Sequence, residues 1–349
     1  MNIKPTKEIT LLLANAVDGI KTEKTDIAIN TIKELATNVI SGSTVEKIES
    51  YAKLNALLEV TIDPKAQTNL REVVSNYGEL HQLNRREAAE IVRYEHELRG
   101  GRNQAQSGDV RFGKTVRVNA PVVFETISAG IEVDYRDLIE DTTMQLQNLI
   151  VETLTTIDNK VVAKVSHELA EGVKTASTNG KVTYYASGNG VAKATLDEAI
   201  TQVRRTGNVN IFGDYRMVSQ LEDFVGFSAA EYRVLAEARL LEIDAQGFIG
   251  QYRASTVSEI KNALDVYAKE DNTIFGKTYK TLLPESDLYI MANGTMAPNH
   301  IFTRGGLTTQ TGSFIPSGSE MQRWDLEVAT YFVEDRAYMM GLIQDTDLI

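Results

Sequence analysis

The sequence lacks cysteine, so disulfide bonds and thiolate chemistry are excluded. No apolar run approaches the length of a membrane span, and we expect no transmembrane segment. Basic clusters are also missing, and the formal net charge is −12. Tight nucleic-acid binding depends on Lys and Arg neutralising phosphates, so this balance disfavours it. What remains is a folded chain of ordinary apolar content, long enough for two or three domains' worth of core.

The most informative stretch runs from Val116 to Val173. Its first part, to Val133, alternates in the manner of a β-strand and predicts an extended β-arm. Apolar residues then recur at helical spacing at Leu138, Leu146, Leu149, Ile150, Leu154, Ile157, Val161, Val165 and Leu169. This spacing predicts one helix over about 137–172, roughly 50 Å long. An arm followed by so long a helix indicates a building block that reaches toward neighbouring subunits.

Residues 1–99 hold few glycines and predict a series of short amphipathic helices. The expected helices carry Ile9–Ile20, Ala28–Val39, a stretch opened by the capping box Ser43–Glu46 and broken at Asp63-Pro64, Ala66–Tyr77, and a fifth from Asn84 to Gly100. This region is interpreted either as a small helical domain or arm, or as a partner-binding or scaffolding segment.

After a polar loop over about 100–115, strands and helices mix without regular βαβ alternation or an internal repeat, which predicts the α+β class. A second capping box, Thr195–Glu198, predicts a helix, and further helices are expected through Met217 to Phe224 and over Glu231–Leu241. Strands are expected at Val209–Phe212, Thr256–Ile260, Pro284–Ala292, Trp324–Tyr331 and Tyr338–Ile343, the last two as an antiparallel pair.

Gly108–Thr115 matches the phosphate-loop pattern G-x-x-x-x-G-K-[ST] letter for letter. That motif needs a strand before it and a helix after it, so that the helix N-terminus faces the phosphates. Here a polar loop precedes it and an alternating strand with Pro121 follows. We therefore interpret it as a loop at the root of the β-arm, with a P-loop nucleotide-binding protein as the alternative.

Other candidate sites have simpler interpretations. Gly188–Gly190 and Asn293–Thr295 are expected turns. The histidines, His81, His96, His167 and His300, are scattered without metal-ligand spacing, so no metal site is predicted. The carboxylates Glu132, Asp134, Asp137, Glu140 and Asp141 are expected to stabilise a helix N-terminus, and Asp335, Asp345 and Asp347 to be solvated. We assign no catalytic, cofactor-binding or metal residue and expect no cofactor.

Four stretches, in their order along the chain, resemble the major capsid proteins of tailed bacteriophages, whose shell fold is shared with encapsulins. They are Ile127–Glu140, Asn210–Phe224, Gly247–Ile260, and Leu288–Ala292 followed by Trp324–Val328 and the terminal strands. The resemblance covers about 100–349, and the order of the stretches carries it, since no single motif is specific.

The resemblance implies a phage major-capsid fold of the α+β class. Its parts would be an N-terminal helical arm or scaffolding-like segment at 1–99, an extended loop at 100–135, a peripheral domain with the spine helix at 136–174 and 321–349, and an axial domain at 175–320. It implies a structural protein, not an enzyme, that self-assembles through hexamers and pentamers into an icosahedral shell around double-stranded DNA, without sequence-specific binding.

Scaffold, portal and decoration proteins are implied partners, and the location would be the virion capsid, assembled in the host cytoplasm. An encapsulin-like nanocompartment shell stays open as an alternative. A helical adaptor that uses 1–99 as its main surface is a further one.

Overall fold

A computed structural model of the chain describes residues 23–96, 115–133, 135–224, 247–264, 272–274, 277–279, 281–293, 298–314 and 319–348. Its helices are α1 (Glu23–Ser41), α2 (Thr44–Val74), α3 (Tyr135–Glu140), α4 (Thr142–Thr178), α5 (Lys193–Val203) and α6 (Tyr215–Ser219). The strands of the first half are β1 (Glu79–Leu83), β2 (Glu90–His96), β3 (Thr115–Pro121), β4 (Glu125–Val133), β5 (Tyr184–Gly188) and β6 (Asn208–Gly213).

The remaining strands are β7 (Gln251–Tyr252), β8 (Ser255–Glu259), β9 (Asn272–Ile274), β10 (Lys277–Tyr279), β11 (Asp287–Asn293), β12 (Asn299–Phe314), β13 (Ser319–Phe332) and β14 (Met340–Asp345). Short 3₁₀ helices cover Gln220–Phe224, Glu334–Met339 and Thr346–Leu348. The expected helices at Ile9–Ile20 and Glu231–Leu241 lie outside the described residues. None of the described helices combines the length and the apolar character that crossing a membrane requires.

Helices α1 and α2 form a hairpin whose turn the sequence encodes. The backbone N–H and the hydroxyl of Ser43 both donate to the Glu46 carboxylate, each at 2.8 Å, which confirms the predicted capping box. The hydrogen bond from the Ser43 backbone, followed by that from its hydroxyl, lowers the pKa of Glu46. A Cβ at Gly42 would lie 2.5 Å from the Asn38 carbonyl oxygen, so this tight turn requires glycine.

Helix α2 continues through Asp63-Pro64, so the predicted break there is wrong. An interior proline costs a helix about 3 kcal/mol. Leucines on both sides of the proline, Leu54, Leu57 and Leu70, are buried in the main core. Burying each of them contributes about 1.5–3 kcal/mol, which outweighs the proline cost and keeps the helix continuous.

The first of the two large sheets has four strands in the order β1-β12-β13-β4. Alternation along β13 separates its two faces: Trp324, Leu326 and Val328 face the main core, whereas Ala329 belongs to a smaller cluster on the opposite side. The chain's single tryptophan is fully buried there. We call this the peripheral sheet.

The second large sheet has six strands in the order β5-β14-β11-β6-β8-β7. One face packs on α5 and α6 through residues such as Ile211 and Leu288. The other face, which includes Phe212 and Tyr289, joins the main core. We call this the axial sheet, and its two-sided burial explains why its strands read as nearly continuous apolar runs.

Helix α4 connects the two sheets. At 37 residues it extends about 55 Å. Leu154 and Ile157, in its first half, are 6% and 1% exposed and share the core with the peripheral sheet, as predicted. Toward its second half the Ser166 hydroxyl lies 2.9 Å from the Tyr289 hydroxyl of the axial sheet. One helix therefore supplies the apolar surface on which both sheets pack.

The ends of α4 differ from the prediction of one helix over 137–172. The chain breaks after α3 at Asp141, whose carboxylate accepts a hydrogen bond from the Met144 backbone N–H at 3.2 Å. An aspartate that bonds the first turn in this way caps a new helix, so the continuous apolar period conceals a boundary. The helix also continues to Thr178, six residues beyond the expected end.

Several local predictions are wrong because long-range pairing prevails over local pattern. The expected fifth helix is replaced by β2, which pairs with β3, and β1 pairs with β12 in parallel. β13 and β14 lie in different sheets and do not form the expected pair. The box Thr195–Glu198 does not cap α5, which begins at Lys193 after Ala192.

These pairings also join strands from different ranges of the expected domain division. β12, predicted within the axial range 175–320, lies in the peripheral sheet, and β14, predicted within the peripheral range 321–349, lies in the axial sheet. Helices α1 and α2, expected in a separate arm over 1–99, contribute buried residues to the main core. The amino-acid composition gives no signal for these differences, because they depend on which strands pair.

Candidate assembly surface

A two-stranded antiparallel ribbon, β2 with β3, stands apart from both large sheets. Its register runs from Glu90 opposite Pro121 to His96 opposite Thr115. Within the described part of the chain, no third strand pairs with either edge of the ribbon. Such edges present unpaired backbone donors and acceptors, which are ready to pair with another chain.

The root of the ribbon is fixed to the outer face of the peripheral sheet. The Val122 backbone N–H donates to the Ala89 carbonyl at 3.2 Å, at the end of the ribbon nearest the sheet. Ile91 packs in a small cluster with Phe302 and Ala329 of the sheet. The ribbon therefore emerges from a rigid base, on the side of the sheet opposite α4.

A cation–π contact adds to this base. The guanidinium of Arg304 on β12 lies 4.2 Å from the centre of the Phe124 ring, just before β4. The same guanidinium donates to Glu327 at 2.6 Å. Both neighbours hold Arg304 in place, and the contact links the end of the ribbon to two strands of the peripheral sheet.

Large apolar side chains are exposed both beside the ribbon and on α4. Val123, between the ribbon and β4, is 82% exposed. On α4, Met144 and Val151 are 58% and 60% exposed, and their spacing of seven places them on one helix face. The described residues do not cover these groups, so they are candidate contacts between subunits.

The sequence-predicted motifs have mixed outcomes. Of the phosphate-loop pattern, Gly108–Lys114 lies outside the described residues, and Thr115 opens β3. A strand therefore follows the motif where a helix would be required, as the sequence interpretation expected. Gly190 adopts a φ of +70° directly after β5, which fits the predicted turn. Asn293 ends β11, and the two residues after it lie outside the description.

Asp345, expected to be solvated, is 2% exposed, so that prediction is wrong. Burial acts to raise its pKa, but three donors prevail and lower it: the backbone N–H groups of Gly190 and Asp347 and the amide of Gln220. Asp345 thus connects the end of β14 to the turn after β5. Asp335 is exposed and pairs with Lys181 at 2.9 Å, in keeping with the prediction.

The histidines also depart from the sequence interpretation. His81 and His300 are far apart in the sequence, but they are neighbours in the structure because β1 pairs with β12. Their ring nitrogens Nε2 and Nδ1 are 3.0 Å apart, and the Glu79 carboxylate lies beside both. Sequence spacing alone gives no signal for residues 219 positions apart.

A protein-family model described as "SPbeta prophage-derived putative capsid protein YonB" matches residues 13–344. The chain belongs to this phage capsid protein family. No curated protein sequence matches the chain. The family is one of structural proteins, and its match includes both the ribbon and the two sheets.

Solved structures similar to this phage capsid protein have low sequence identity. For Gordonia phage Cozz the identity is 8%, with 78% of this chain and 85% of that chain covered and a TM-score of 0.49. The capsid of cyanophage P-SCSP1u is 8% identical, with 77% of this chain and 86% of that chain covered and a TM-score of 0.46. A virus-like particle from Pyrococcus furiosus is 9% identical, with 81% of this chain and 97% of that chain covered and a TM-score of 0.41. The family assignment rests on the match over 13–344.

Proposed function

We propose that the chain is a major capsid protein that self-assembles through hexamers and pentamers into a closed icosahedral shell around phage DNA. The observation that carries this proposal is the family match over residues 13–344. The ribbon supports it, because a two-stranded element with free edges gains stability when it pairs with or lies on a neighbour. Many modest contacts of this kind sum through multivalency.

The domain assignment is part of the proposal. The ribbon and its connection would be the extended loop that overlaps a neighbouring subunit. The peripheral sheet with α4 would form the peripheral domain, and the axial sheet with α5 and α6 the axial domain. This division follows the observed strand pairing rather than the boundaries expected from the sequence.

The partners follow from the same proposal. The formal net charge of −12 suits a container that must not hold its DNA tightly. Scaffold, portal and decoration proteins are proposed as further partners, with assembly in the host cytoplasm. The role is assembly, not catalysis.

The direct test is the assembly state of the purified full chain. We expect closed particles or capsomers in size-exclusion chromatography with light scattering and in negative-stain electron microscopy. A monodisperse monomer at high concentration, with the expected helix content, would refute the proposal.

Deleting residues 102–113 separates the ribbon's role from folding. These residues lie between β2 and β3 in the chain, and the buried residues of the main core come from other segments. The variant should keep the helix content of the full chain in circular dichroism but lose particles or form irregular ones. Normal particles from the variant, or an unfolded subunit, would contradict the role given to the extended loop.

A further inference from the structure

Strand pairing concentrates potential ligands at one point of the peripheral sheet. Glu79 and His81 are two residues apart on β1, so their side chains share a face. β1 pairs with β12 in parallel, with Glu79 opposite His300. All three side chains therefore converge on the sheet face that also carries the root of the ribbon.

The separations of the donor atoms suit a small metal ion. His81 Nε2 and His300 Nδ1 are 3.0 Å apart, and the Glu79 Oε2 lies 3.9 Å and 3.8 Å from them. A point equidistant from three atoms so spaced lies about 2.1 Å from each, which matches Zn–N and Zn–O bond lengths. An ion at this point would replace the hydrogen bond between the two imidazoles.

The surroundings fit a ligand set that is open on one side. The His300 side chain is 12% exposed, whereas those of His81 and Glu79 are 33% and 51% exposed. Solvent therefore reaches the cluster from the Glu79 side, where a water molecule could complete four-coordination. The ring of His81 stacks on Phe302, with centroids 5.0 Å apart, and this contact limits its rotation.

We propose that Glu79, His81 and His300 form a binding site for one divalent transition-metal ion of the Zn²⁺ type. Two imidazoles and a carboxylate favour Zn²⁺, Co²⁺ or Ni²⁺ over Mg²⁺ and Ca²⁺, which prefer oxygen ligands. The ion would join the edge strand β1 to β12. Because the site lies at the root of the ribbon, metal binding would stabilise the base of the proposed extended loop, although the site itself does not depend on shell formation.

Arg336 provides a second, independent way to test the site. Its Nη1 lies 3.3 Å from His300 Nε2, and a guanidinium only donates, so the ring proton sits on Nδ1 and is directed at His81. Metal binding at Nδ1 moves this proton to Nε2, where it faces the guanidinium. Arg336 thus opposes the ion, and Arg336→Gln, whose carbonyl can accept from Nε2–H, should bind it more tightly.

The test is a Zn²⁺ and Co²⁺ titration of the EDTA-treated full chain, followed by calorimetry and by Co²⁺ absorption. We expect one ion per chain and a Co²⁺ spectrum typical of four-coordination. Arg336→Gln should increase the affinity about 10-fold. His81→Ala and His300→Ala should abolish binding, and Glu79→Gln, a change at a half-exposed position, should weaken it while the fold is kept.

His167→Ala is the matched control, because His167 is exposed on α4 and takes no part in the site. It should bind as the unmodified chain does. Saturating Zn²⁺ should also raise the unfolding temperature by several degrees in the unmodified chain but not in His81→Ala. No binding at one ion per chain, or binding that survives in His81→Ala, His300→Ala and Glu79→Gln alike, would overturn the proposal.

Discussion

Asp158, midway along α4, is a carboxylate in an unfavourable position. It lines two clefts of about 450 and 350 Å³. Its Oδ1 is buried and has no hydrogen-bond partner among the residues that the structure describes. Burial raises its pKa to about 6, so at neutral pH the folded chain carries a poorly solvated charge.

Asp158→Asn should therefore stabilise the chain at pH 7–8. The folded-state pKa, about 6, exceeds the ordinary value of 3.8, so the folded state binds more protons between these limits. The penalty consequently grows from pH 4 to 6 and is complete above. After allowance for partial exposure, the gain should be about 1–2 kcal/mol at pH 7.5 and vanish below about pH 4.

Urea unfolding followed by the fluorescence of the buried Trp324 measures this difference at each pH. Asp335→Asn serves as the control, because Asp335 lies in an exposed ion pair with Lys181. It should change stability by no more than about 1 kcal/mol. A stability gain in Asp158→Asn that does not depend on pH would show that charge burial is not its cause.

Gly172, within α4, illustrates how packing reverses a helix propensity. A Cβ at this position would lie 2.5 Å from Cγ of Phe332 at the end of β13. Glycine to alanine in a helix interior ordinarily stabilises by about 1 kcal/mol. Here the overlap should make Gly172→Ala destabilising by about 1–3 kcal/mol.

Thermal denaturation of this variant beside Gly130→Ala isolates the steric cause. Gly130 lies in β4, and a Cβ there meets nothing within 4 Å, so its variant should match or exceed the unmodified chain. If Gly172→Ala were as stable as Gly130→Ala, the close packing of α4 against β13 would be refuted.

At the scale of elements, the parts that the sequence predicted well have strong local signals. The alternating pattern at 116–133 yields β3 and β4, and the apolar stripe around Leu154 and Ile157 faces the core. The Ser43–Glu46 box caps α2 because two residues three positions apart suffice to define it. Each of these signals requires only neighbours within one turn or one strand.

What the sequence could not supply is pairing between distant strands. β1 lies about 220 residues from the strand it pairs with, so neither its position nor the Glu79–His81–His300 cluster has a local signal. The ribbon was half predicted: β3 has an alternating pattern, but β2 reads as a helix after Asn84. Asn84 and Glu87 do form a local capping bond at 2.9 Å, yet only a turn follows it.

Leu154→Asp tests the contact between α4 and the peripheral sheet. Leu154 is 6% exposed in the main core, so the change buries an unpaired charge and should cost several kcal/mol. This loss is comparable to the whole stability of a domain, about 5–15 kcal/mol, so the chain should be insoluble or fail to assemble.

Two variants bracket this result in expression trials followed by circular dichroism and electron microscopy. Leu154→Met conserves volume and should cost less than about 1.5 kcal/mol. Thr155→Asp adds the same charge at the adjacent exposed position and should keep the fold. A folded Leu154→Asp chain that assembles normally would mean that α4 is not the spine of the subunit.

At the scale of the whole molecule, one core unites regions that the sequence separated. Ile32 of α1, Leu54 of α2, Val161 of α4 and Trp324 of β13 belong to the same buried cluster. Tyr77, just after α2, stands edge-on to Phe212 of the axial sheet, with ring centroids 5.6 Å apart. Helices α1 and α2 therefore contribute to the same core as both sheets.

Removing residues 1–76 should consequently abolish folding. The deletion takes away α1 and α2, including the buried residues Leu54, Leu57 and Leu70, and each such leucine is worth about 2–5 kcal/mol. Together they match or exceed the roughly 5–15 kcal/mol that holds a domain together. The truncated chain should be insoluble, or unfold without the sharp transition of the full chain in Trp324 fluorescence.

Ile48→Ser, at a position 66% exposed on α2, is the control and should leave the transition unchanged. A truncated chain that unfolds as sharply as the full chain, and still forms particles, would restore the view that the region is a detachable arm, because a core completed by α1 and α2 could not survive their loss.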